Sequence, residues 1–283
     1  MTHPVTHNDS ARSGWGRRGR LALASALPVA ALTTALVAPV SVRAADAPAG
    51  SGARAATQGG RADLPSEVLD LGNWKVTLPI GEEEKPTEIF QPELDGYSQD
   101  PYFTVTRSGK AVRFRAPVNG VTTSGSKNPR TELREMESDG ADEIEWSSTS
   151  GKHTMTVREA FTHLPEDKPH VVGAQIHGGD DDVTALRLEG TKLYVTKGDT
   201  THHHLITDDY QLGTVFTVRY VVAKGKVKVY FNGRLETTIA HSDPSNYFKT
   251  GAYAQAHCGN SSPCADDNYG EVEIRDVRVR HED

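Results

Sequence analysis

The sequence predicts an all-β fold, a β-jelly roll sandwich in which one sheet carries a concave, polar substrate groove. Short stretches of alternating apolar and polar residues follow one another from residue 74 to near the end of the chain. Gly, Pro, Asn and Asp separate these stretches, and no stretch keeps a helical period for three turns. Many short strands are typical of sandwiches, so we expect few and short helices.

The first predicted strand covers residues 74–78, and Pro79 is expected to end it. Residues 82–100 carry charges, Pro and Gly without a period, which predicts a loop. A hairpin is predicted next, with strands at residues 102–106 and 111–116. Further strands are predicted around Arg130 and at residues 143–146, 153–161, 186–188, 193–195, 215–222, 226–231, 235–239 and 271–280.

Two local signals make this strand assignment more specific. Asn232-Gly233 is a strong hairpin turn signal between two of the strands. In the last strand, the apolar residues change face between Ile274 and Val277, which predicts a β-bulge near residues 275–276.

The N-terminal 44 residues are predicted to be an export signal. Arginines, including Arg17 and Arg18, precede an apolar run at residues 21–40, and small residues at 42–45 suit cleavage. A retained membrane anchor is the competing interpretation, because about 20 apolar residues span a bilayer. Pro28 and Pro39 favour cleavage, so we expect a secreted protein with no membrane contact after processing.

Residues 45–62 are rich in Ala, Gly and Ser and are predicted to form a flexible linker. Residues 63–283 are then predicted to form a single domain, which we expect to be a monomer. The formal net charge of −7 argues against nucleic acid as a partner. An anionic substrate would therefore need a local basic groove.

One stretch carries an unusual pattern of charge. In an extended chain, Arg130, Glu132 and Arg134 share one face, and Thr131 and Leu133 share the other. A carboxylate between two guanidinium groups can hold one of them and leave the other to bind an anion. A salt-bridge ladder on a solvated sheet is the structural alternative.

Two later stretches repeat a polar face. Gln175 and His177 lie on one side of their strand, and Lys249, Tyr253 and Gln255 lie on one side of theirs. If the three polar faces line one groove, it contains an anion grip, a histidine, a tyrosine and amide donors. A hydrogen-bonded structural histidine and an ordinary strand tyrosine are the alternatives for two of these residues.

Together, the stretches Arg130–Arg134, Gln175–His177 and Tyr247–Gln255 resemble those of polysaccharide lyase family 7, the alginate lyases. They stand in the order of that family, and the stretch Trp74–Pro79 is similar to the start of its domain. The resemblance covers essentially all of residues 64–283. It implies a β-jelly roll that cleaves 1,4-linked uronate chains by β-elimination, without a metal or other cofactor.

The resemblance also implies catalytic roles. Arg130 and Gln175 would bind the substrate carboxylate, His177 would help to abstract the C5 proton, and Tyr253 would protonate the leaving oxygen. The chemistry asks for such groups, because a proton next to a carboxylate is hard to remove until fixed donors stabilise the developing charge. A base and an acid then complete the elimination, and histidine suits the base role because its ordinary pKa lies near neutrality.

Four further residues would bind substrate. By the same resemblance, Arg134, Lys249 and Gln255 would position neighbouring sugars, and Glu132 would orient the arginines. In this family, Ile at the position of Ile176 goes with guluronate-containing substrate. The expected partner is therefore alginate, an anionic polysaccharide.

Other clusters receive simpler interpretations. Cys258 and Cys264 are predicted to form a disulfide, because no second Cys or His pair at zinc spacing accompanies them. Residues 202–204, three histidines, are predicted to lie in a solvated loop, and the three aspartates at 180–182 in a solvated turn. Neither predicts a metal site.

Two rival functions remain open from sequence. Glu143 and Glu145 share a strand face, as paired carboxylates do in jelly-roll glycoside hydrolases. A non-catalytic carbohydrate-binding module would instead favour exposed tryptophans for sugar stacking. Trp74 and Trp146 sit in apolar alternation, and Trp15 falls in the predicted signal.

Overall fold

The computed structural model describes residues 61–179 and 181–283. The predicted export signal lies outside these residues, as do nearly all of the predicted linker and Asp180. Within the described part of the chain, no helix has the length and apolar character needed to cross a membrane.

The described residues form β-strands and two short 3₁₀ turns, Pro65–Glu67 and Glu93–Gly96. The strands are β1 Trp74–Glu82, β2 Lys85–Ile89, β3 Phe103–Val105, β4 Val112–Pro117, β5 Arg130–Glu135, β6 Lys152–His163, β7 His170–Gly178, β8 Asp181–Glu189, β9 Lys192–Lys197, β10 Thr200–Thr207, β11 Phe216–Ala223, β12 Lys226–Phe231, β13 Arg234–Ala240, β14 Asn246–Ala254 and β15 Tyr269–Glu282.

Two antiparallel sheets contain these strands. The first, which we call the groove sheet, has the order β10-β9-β8-β7-β14-β5-β1-β2. The second, the back sheet, has the order β13-β12-β11-β6-β15-β4-β3. The predicted fold class, an all-β jelly roll, is confirmed. Strands distant in sequence become neighbours in this topology, and β7, β14 and β5 lie side by side in the groove sheet.

The hydrophobic core lies between the two sheets. Leu133 of β5, Ile176 of β7 and Ala252 of β14 are fully buried on the inner face of the groove sheet. Phe114 and Phe161 belong to the same core cluster from the back sheet. Because side chains alternate along each strand, burying these residues turns their polar neighbours to the opposite face.

Both local signals are confirmed. Asn232 and Gly233 have φ values of 48° and 85°, as a tight hairpin turn between β12 and β13 requires. The register between β15 and β6 shifts between Ile274 and Asp276, where the bulge was predicted. The inner face of β15 therefore stays apolar on both sides of the shift.

Several strand predictions were wrong at the sheet edges. Residues 82–100 contain β2, and the three histidines lie in β10, although both segments were predicted as loops. These two strands form the two edges of the groove sheet, where most side chains are exposed or only partly buried and show little apolar alternation. Strand β1 continues through Pro79, and residues 143–146 make only isolated bridges, to Met136 and Asn246.

Candidate active site

A buried carboxylate lies at the centre of the polar face of the groove sheet. Glu132 is fully buried, and its oxygen Oε2 lies 2.7 Å from Nζ of Lys249 and 3.3 Å from Nη1 of Arg130. The side-chain amide of Gln175 donates to its other oxygen. Burial acts to raise the pKa of Glu132, but Lys249 and Arg130 outweigh burial and hold the pKa below its usual value. Glu132 is therefore an anion that fixes three donors from three strands.

Strand register explains why these donors meet. Across β5 and β14, Tyr253 pairs with Arg130, Gly251 with Glu132, and Lys249 with Arg134. Gly251 has a φ of +150°, and a Cβ atom there would clash with the carbonyl oxygen of Thr131. A side chain at this position would push the strands apart just where Glu132 is held.

Arg130 and Tyr253 form a stacked pair. The guanidinium carbon of Arg130 lies 4.0 Å from the centre of the Tyr253 ring. The Tyr253 hydroxyl and the Ser126 hydroxyl are hydrogen-bonded at 2.9 Å. Among the described residues, Nε of Arg130 has no hydrogen-bond partner. The stacking on Arg130 and the hydrogen bond with Ser126 therefore hold the Tyr253 phenol in place on the polar face of the groove sheet.

His177 lies on the other side of this cluster. Its ring stacks on Tyr247 with centroids 5.1 Å apart, and its Nε2 lies 3.7 Å from Oδ1 of Asp182. Burial and then Lys249 lower the pKa of His177, against an opposing effect of Asp182 and Glu132. The imidazole is therefore neutral near pH 7 and able to accept a proton.

Arg134 has partners other than the one predicted for it. Its guanidinium stacks on Tyr247 at 4.0 Å, donates to the carbonyl of Glu135 at 2.7 Å, and lies 3.2 Å from the carboxylate of Glu143. Within the described residues, Glu132 is ion-paired with Arg130 and Lys249 and not with Arg134, so the prediction that Glu132 orients both arginines was wrong for the second. The register explains this, because Glu132 faces Gly251, which leaves room for Lys249 to reach it.

Gln255 follows the end of β14 and extends the polar face. Its Oε1 accepts a hydrogen bond of 2.8 Å from Nη1 of Arg187. Arg187 also lies 2.5 Å from Glu189 and 3.1 Å from His170. Gln255 is therefore held by an ion-paired arginine of β8.

The arrangement has the parts that an elimination next to a carboxylate needs. Fixed cations and an amide neutralise an acid, a neutral imidazole takes up a proton, and a phenol beside a guanidinium supplies one. Because these groups come from β5, β7 and β14, the three polar stretches predicted from sequence are brought to one face.

Comparison with known proteins agrees with this chemistry. The family model described as alginate lyase matches residues 69–281, which is more than half of the chain. The chain belongs to polysaccharide lyase family 7, the alginate lyases.

Solved alginate lyases resemble this family 7 lyase over its described domain. The crystal structure of the alginate lyase from Corynebacterium sp. is 60% identical with a TM-score of 0.78, and the match covers 79% of this chain and 100% of that chain. The family 7 alginate lyase AlgAT5 is 50% identical with a TM-score of 0.74, over 77% of this chain and 99% of that chain. An alginate lyase from Klebsiella pneumoniae is 33% identical over 76 residues, which span only 24% of that protein.

The paired carboxylates of the rival hydrolase interpretation do not act together in this lyase. Glu143 is ion-paired with Lys75 at 2.8 Å and with Arg134 at 3.2 Å. Glu145, in contrast, lines a separate cavity next to Trp146. Trp74 and Trp146 are buried, so neither offers the exposed platform of a binding module.

The cysteine pair and the three histidines for which the sequence predicted no metal site have separate structural roles. Cys258 and Cys264 form the predicted disulfide, with Cα atoms 4.8 Å apart. His202 bonds to Glu189, and His204 bonds to Glu236. Within residues 61–179 and 181–283, no group of three or more His, Cys, Asp or Glu side chains is placed to hold a metal ion.

Three residues of the site were missed in the sequence. Lys75 follows Trp74 on the polar face of β1, and its alternation with apolar neighbours was a usable signal. Arg187 shows the same signal between Leu186 and Leu188 of β8. Asp182 was predicted to lie in a solvated turn, which was wrong because it is the second residue of β8 and pairs with His177 of β7.

Proposed function

We propose that this lyase cleaves 1,4-linked uronate chains by β-elimination, with Arg130, Gln175, His177 and Tyr253 as its catalytic residues. The observation that carries this assignment is the meeting of a stacked Arg130–Tyr253 pair, 4.0 Å apart, with a neutral His177 around one buried carboxylate. A hydrolase or a sugar-binding module has no use for this combination.

In the proposed reaction, Arg130 and the second amide hydrogen of Gln175 bind the carboxylate of the reacting sugar. These donors stabilise the charge that develops on that carboxylate when the C5–H bond breaks. The C5 proton passes to His177 or to Tyr253, depending on the epimer. The C4–O bond then breaks, a C4=C5 double bond forms, and the leaving oxygen takes a proton from Tyr253.

Lys249, Arg134, Gln255 and Glu132 act around this centre. Lys249 and Glu132 hold each other at 2.7 Å, which fixes the position of Arg130 and Gln175. Arg134 and Gln255 lie beyond the centre on β5 and after β14, where they would bind neighbouring sugars.

The substrate is proposed to include guluronate blocks. Ile176, which stands between Gln175 and His177, is the residue that the family associates with such substrate. A family 7 alginate lyase 25% identical to this chain was solved with the product GGG. We further propose that the enzyme acts as an extracellular monomer, an environment with which the Cys258–Cys264 disulfide agrees.

Product analysis on separate polymannuronate and polyguluronate tests the function. Elimination leaves a double bond conjugated with the carboxylate, so ultraviolet absorbance should rise as the chains shorten. A hydrolase would release reducing ends without that absorbance, and a binding module would do neither. Absence of absorbance on both polymers would contradict the proposal.

Arg130→Ala tests the role given to Arg130. Because its bond to the carboxylate strengthens in the transition state, we expect kcat and kcat/KM to fall together. Arg219→Ala is the matched control, since Arg219 also stacks on a tyrosine, Tyr230 at 4.4 Å, but lies on the back sheet. A rise in KM alone for Arg130→Ala would contradict this role.

A further inference from the structure

One carboxylate of the protein occupies a position in the groove that suits a carboxylate of the substrate. Oε1 of Glu143 lies 2.8 Å from Nζ of Lys75, and Oε2 lies 3.2 Å from Nη2 of Arg134. The two cations are buried, with side chains 9% and 8% exposed, whereas the Glu143 side chain is 54% exposed. Of the three side chains, only that of Glu143 can therefore turn away from its partners into the solvent.

Both cations keep their places without Glu143. Lys75 is held by Glu88 at 3.0 Å. Arg134 is held by the Tyr247 ring at 4.0 Å and by the carbonyl of Glu135 at 2.7 Å. Removal of Glu143 would thus expose a preorganised pair of positive charges, and preorganisation is what makes a binding site effective.

This pair belongs to the same groove as the proposed catalytic residues. Lys75, Arg134 and Glu143 line a cavity of about 160 Å³ together with Arg130 and Lys249. Arg134 stands four residues after Arg130 on β5, a separation of roughly 13 Å along an extended strand. A chain bound at Arg130 that runs along the direction of β5 would pass over the Lys75–Arg134 pair.

We propose that Lys75 and Arg134 form a subsite for the carboxylate of a second uronate residue, and that Glu143 fills this subsite in the free enzyme. The inference rests on the proposed uronate lyase activity and adds a residue that competes with substrate. A uronate chain replaces the ion pairs that Glu143 gives up. A neutral glycan offers no charge in exchange. It would leave Arg134 without the carboxylate of Glu143 and Lys75 with Glu88 alone, so Glu143 also favours uronate chains over neutral ones.

Glu143 is negatively charged at neutral pH, so it can compete with a carboxylate of the substrate. Burial acts to raise the pKa of Glu143, but the hydrogen bond and charge of Lys75, with Arg134 and Lys249, hold the pKa below its usual value. The carboxylate therefore stays ionised through the neutral range.

Glu143→Gln tests the subsite through its effect on KM. With the competing charge removed, we expect KM for polyuronate to fall about two- to five-fold, the effect of one half-exposed ion pair, with kcat unchanged. Glu145→Gln is the matched control, because Glu145 lies two residues away and lines a separate cavity. An unchanged or higher KM, or a lower kcat, in Glu143→Gln alone would overturn the proposal.

A second variant separates competition from a structural role of Glu143. Lys75→Met should raise KM, and adding Glu143→Gln to it should lower KM less than in the wild type. Equal effects in both backgrounds would overturn the subsite.

Binding of a saturated uronate oligomer, measured by calorimetry, should tighten in Glu143→Gln. A wild type that binds the oligomer but forms no unsaturated product would contradict the proposed function and not the subsite.

Discussion

The Arg130 guanidinium lies over the face of the Tyr253 ring, with its central carbon 4.0 Å from the ring centre. The same guanidinium contacts Glu132 at 3.3 Å. One cation therefore connects the buried anion that fixes the site with the phenol that is proposed to move protons.

Tyr253→Phe keeps the stacked ring and removes only the hydroxyl. We expect kcat to fall by about 10²–10⁴, the usual contribution of a general acid or base. The measurement is the rate of unsaturated product formation under saturating substrate. Tyr269→Phe is the control, because Tyr269 stacks on Arg115 at 3.8 Å in the back sheet. Similar losses in both variants would point to folding and not to chemistry.

Asp182→Asn should move the pH profile of kcat/KM. Activity requires neutral His177, whose pKa is lowered from 6.5 by burial and Lys249 and pushed up again by the Asp182 carboxylate. Without that anion, the imidazolium is less stable, so the acid limb should shift to lower pH. Asp181→Asn should leave the limb in place, since Asp181 is exposed. Equal shifts in both variants would contradict a specific Asp182–His177 interaction.

Glu132→Gln should destabilise the fold as well as the site. Glu132 is fully buried between Lys249 and Arg130, and removing one partner of a buried ion pair costs about 3–5 kcal/mol of unfolding free energy. Chemical denaturation measures the loss. Asp276→Asn, which breaks the exposed pair with Arg278, should cost no more than about 1 kcal/mol.

The same carboxylate predicts an acid dependence. The pKa of Glu132 in the folded protein lies below its ordinary value of 4.5. The ionised carboxylate therefore stabilises the folded protein fully above pH 4.5, and this stabilisation is lost as the pH falls through the folded pKa. Unfolding free energy should therefore fall less steeply on acidification in Glu132→Gln than in the wild type. Parallel acid curves for the two proteins would contradict the ion-pair assignment.

Glu159→Gln should improve stability at alkaline pH. Glu159 lies in the core beneath β7, where a Cβ atom on Gly173 would be 2.9 Å from its Oε1, and burial raises its pKa from 4.5 to about 8. The folded protein then holds a proton that the unfolded chain releases. Between pH 4.5 and about pH 8, the unfolding free energy of the wild type should therefore fall by about 1.4 kcal/mol per pH unit.

Denaturation curves at several pH values check this slope. Glu159→Gln has no proton to lose, so its unfolding free energy should depend less on pH across that range. Glu282→Gln is the control, because Glu282 is exposed and pairs with Lys152 at 3.0 Å. A slope in Glu159→Gln equal to that of the wild type would show that Glu159 is ionised in the folded state.

Alternation of side chains made much of the fold predictable. Leu133 and Ile176 are buried, and their polar neighbours Glu132 and Gln175 face the groove, because a pleated strand has only two sides. Alternation failed at β2 and β10, which are edge strands whose side chains are mostly exposed or only partly buried. Each of these strands packs only one isoleucine against the core, Ile89 in β2 and Ile206 in β10, so their sequences show little apolar alternation.

The partners of each site residue were not predictable in the same way. Arg134 was assigned to Glu132, its neighbour in sequence, but pairs with Glu143 from a loop. Lys249 takes the place beside Glu132 because β14 lies next to β5 and Gly251 lets the strands approach. The alternation of side chains along a strand shows which face each residue occupies, but it does not show which strand is the neighbour in the sheet.

The sequence by itself determined the fold class, the polar faces of three strands and, through resemblance, the family. Only the tertiary structure decided that Glu132 holds Arg130, Lys249 and Gln175 together, and that Glu143 lies between Lys75 and Arg134. The physical reason is that the side-chain pattern is local, whereas ion pairs depend on strand order and register, which are set by the packing of the whole sandwich.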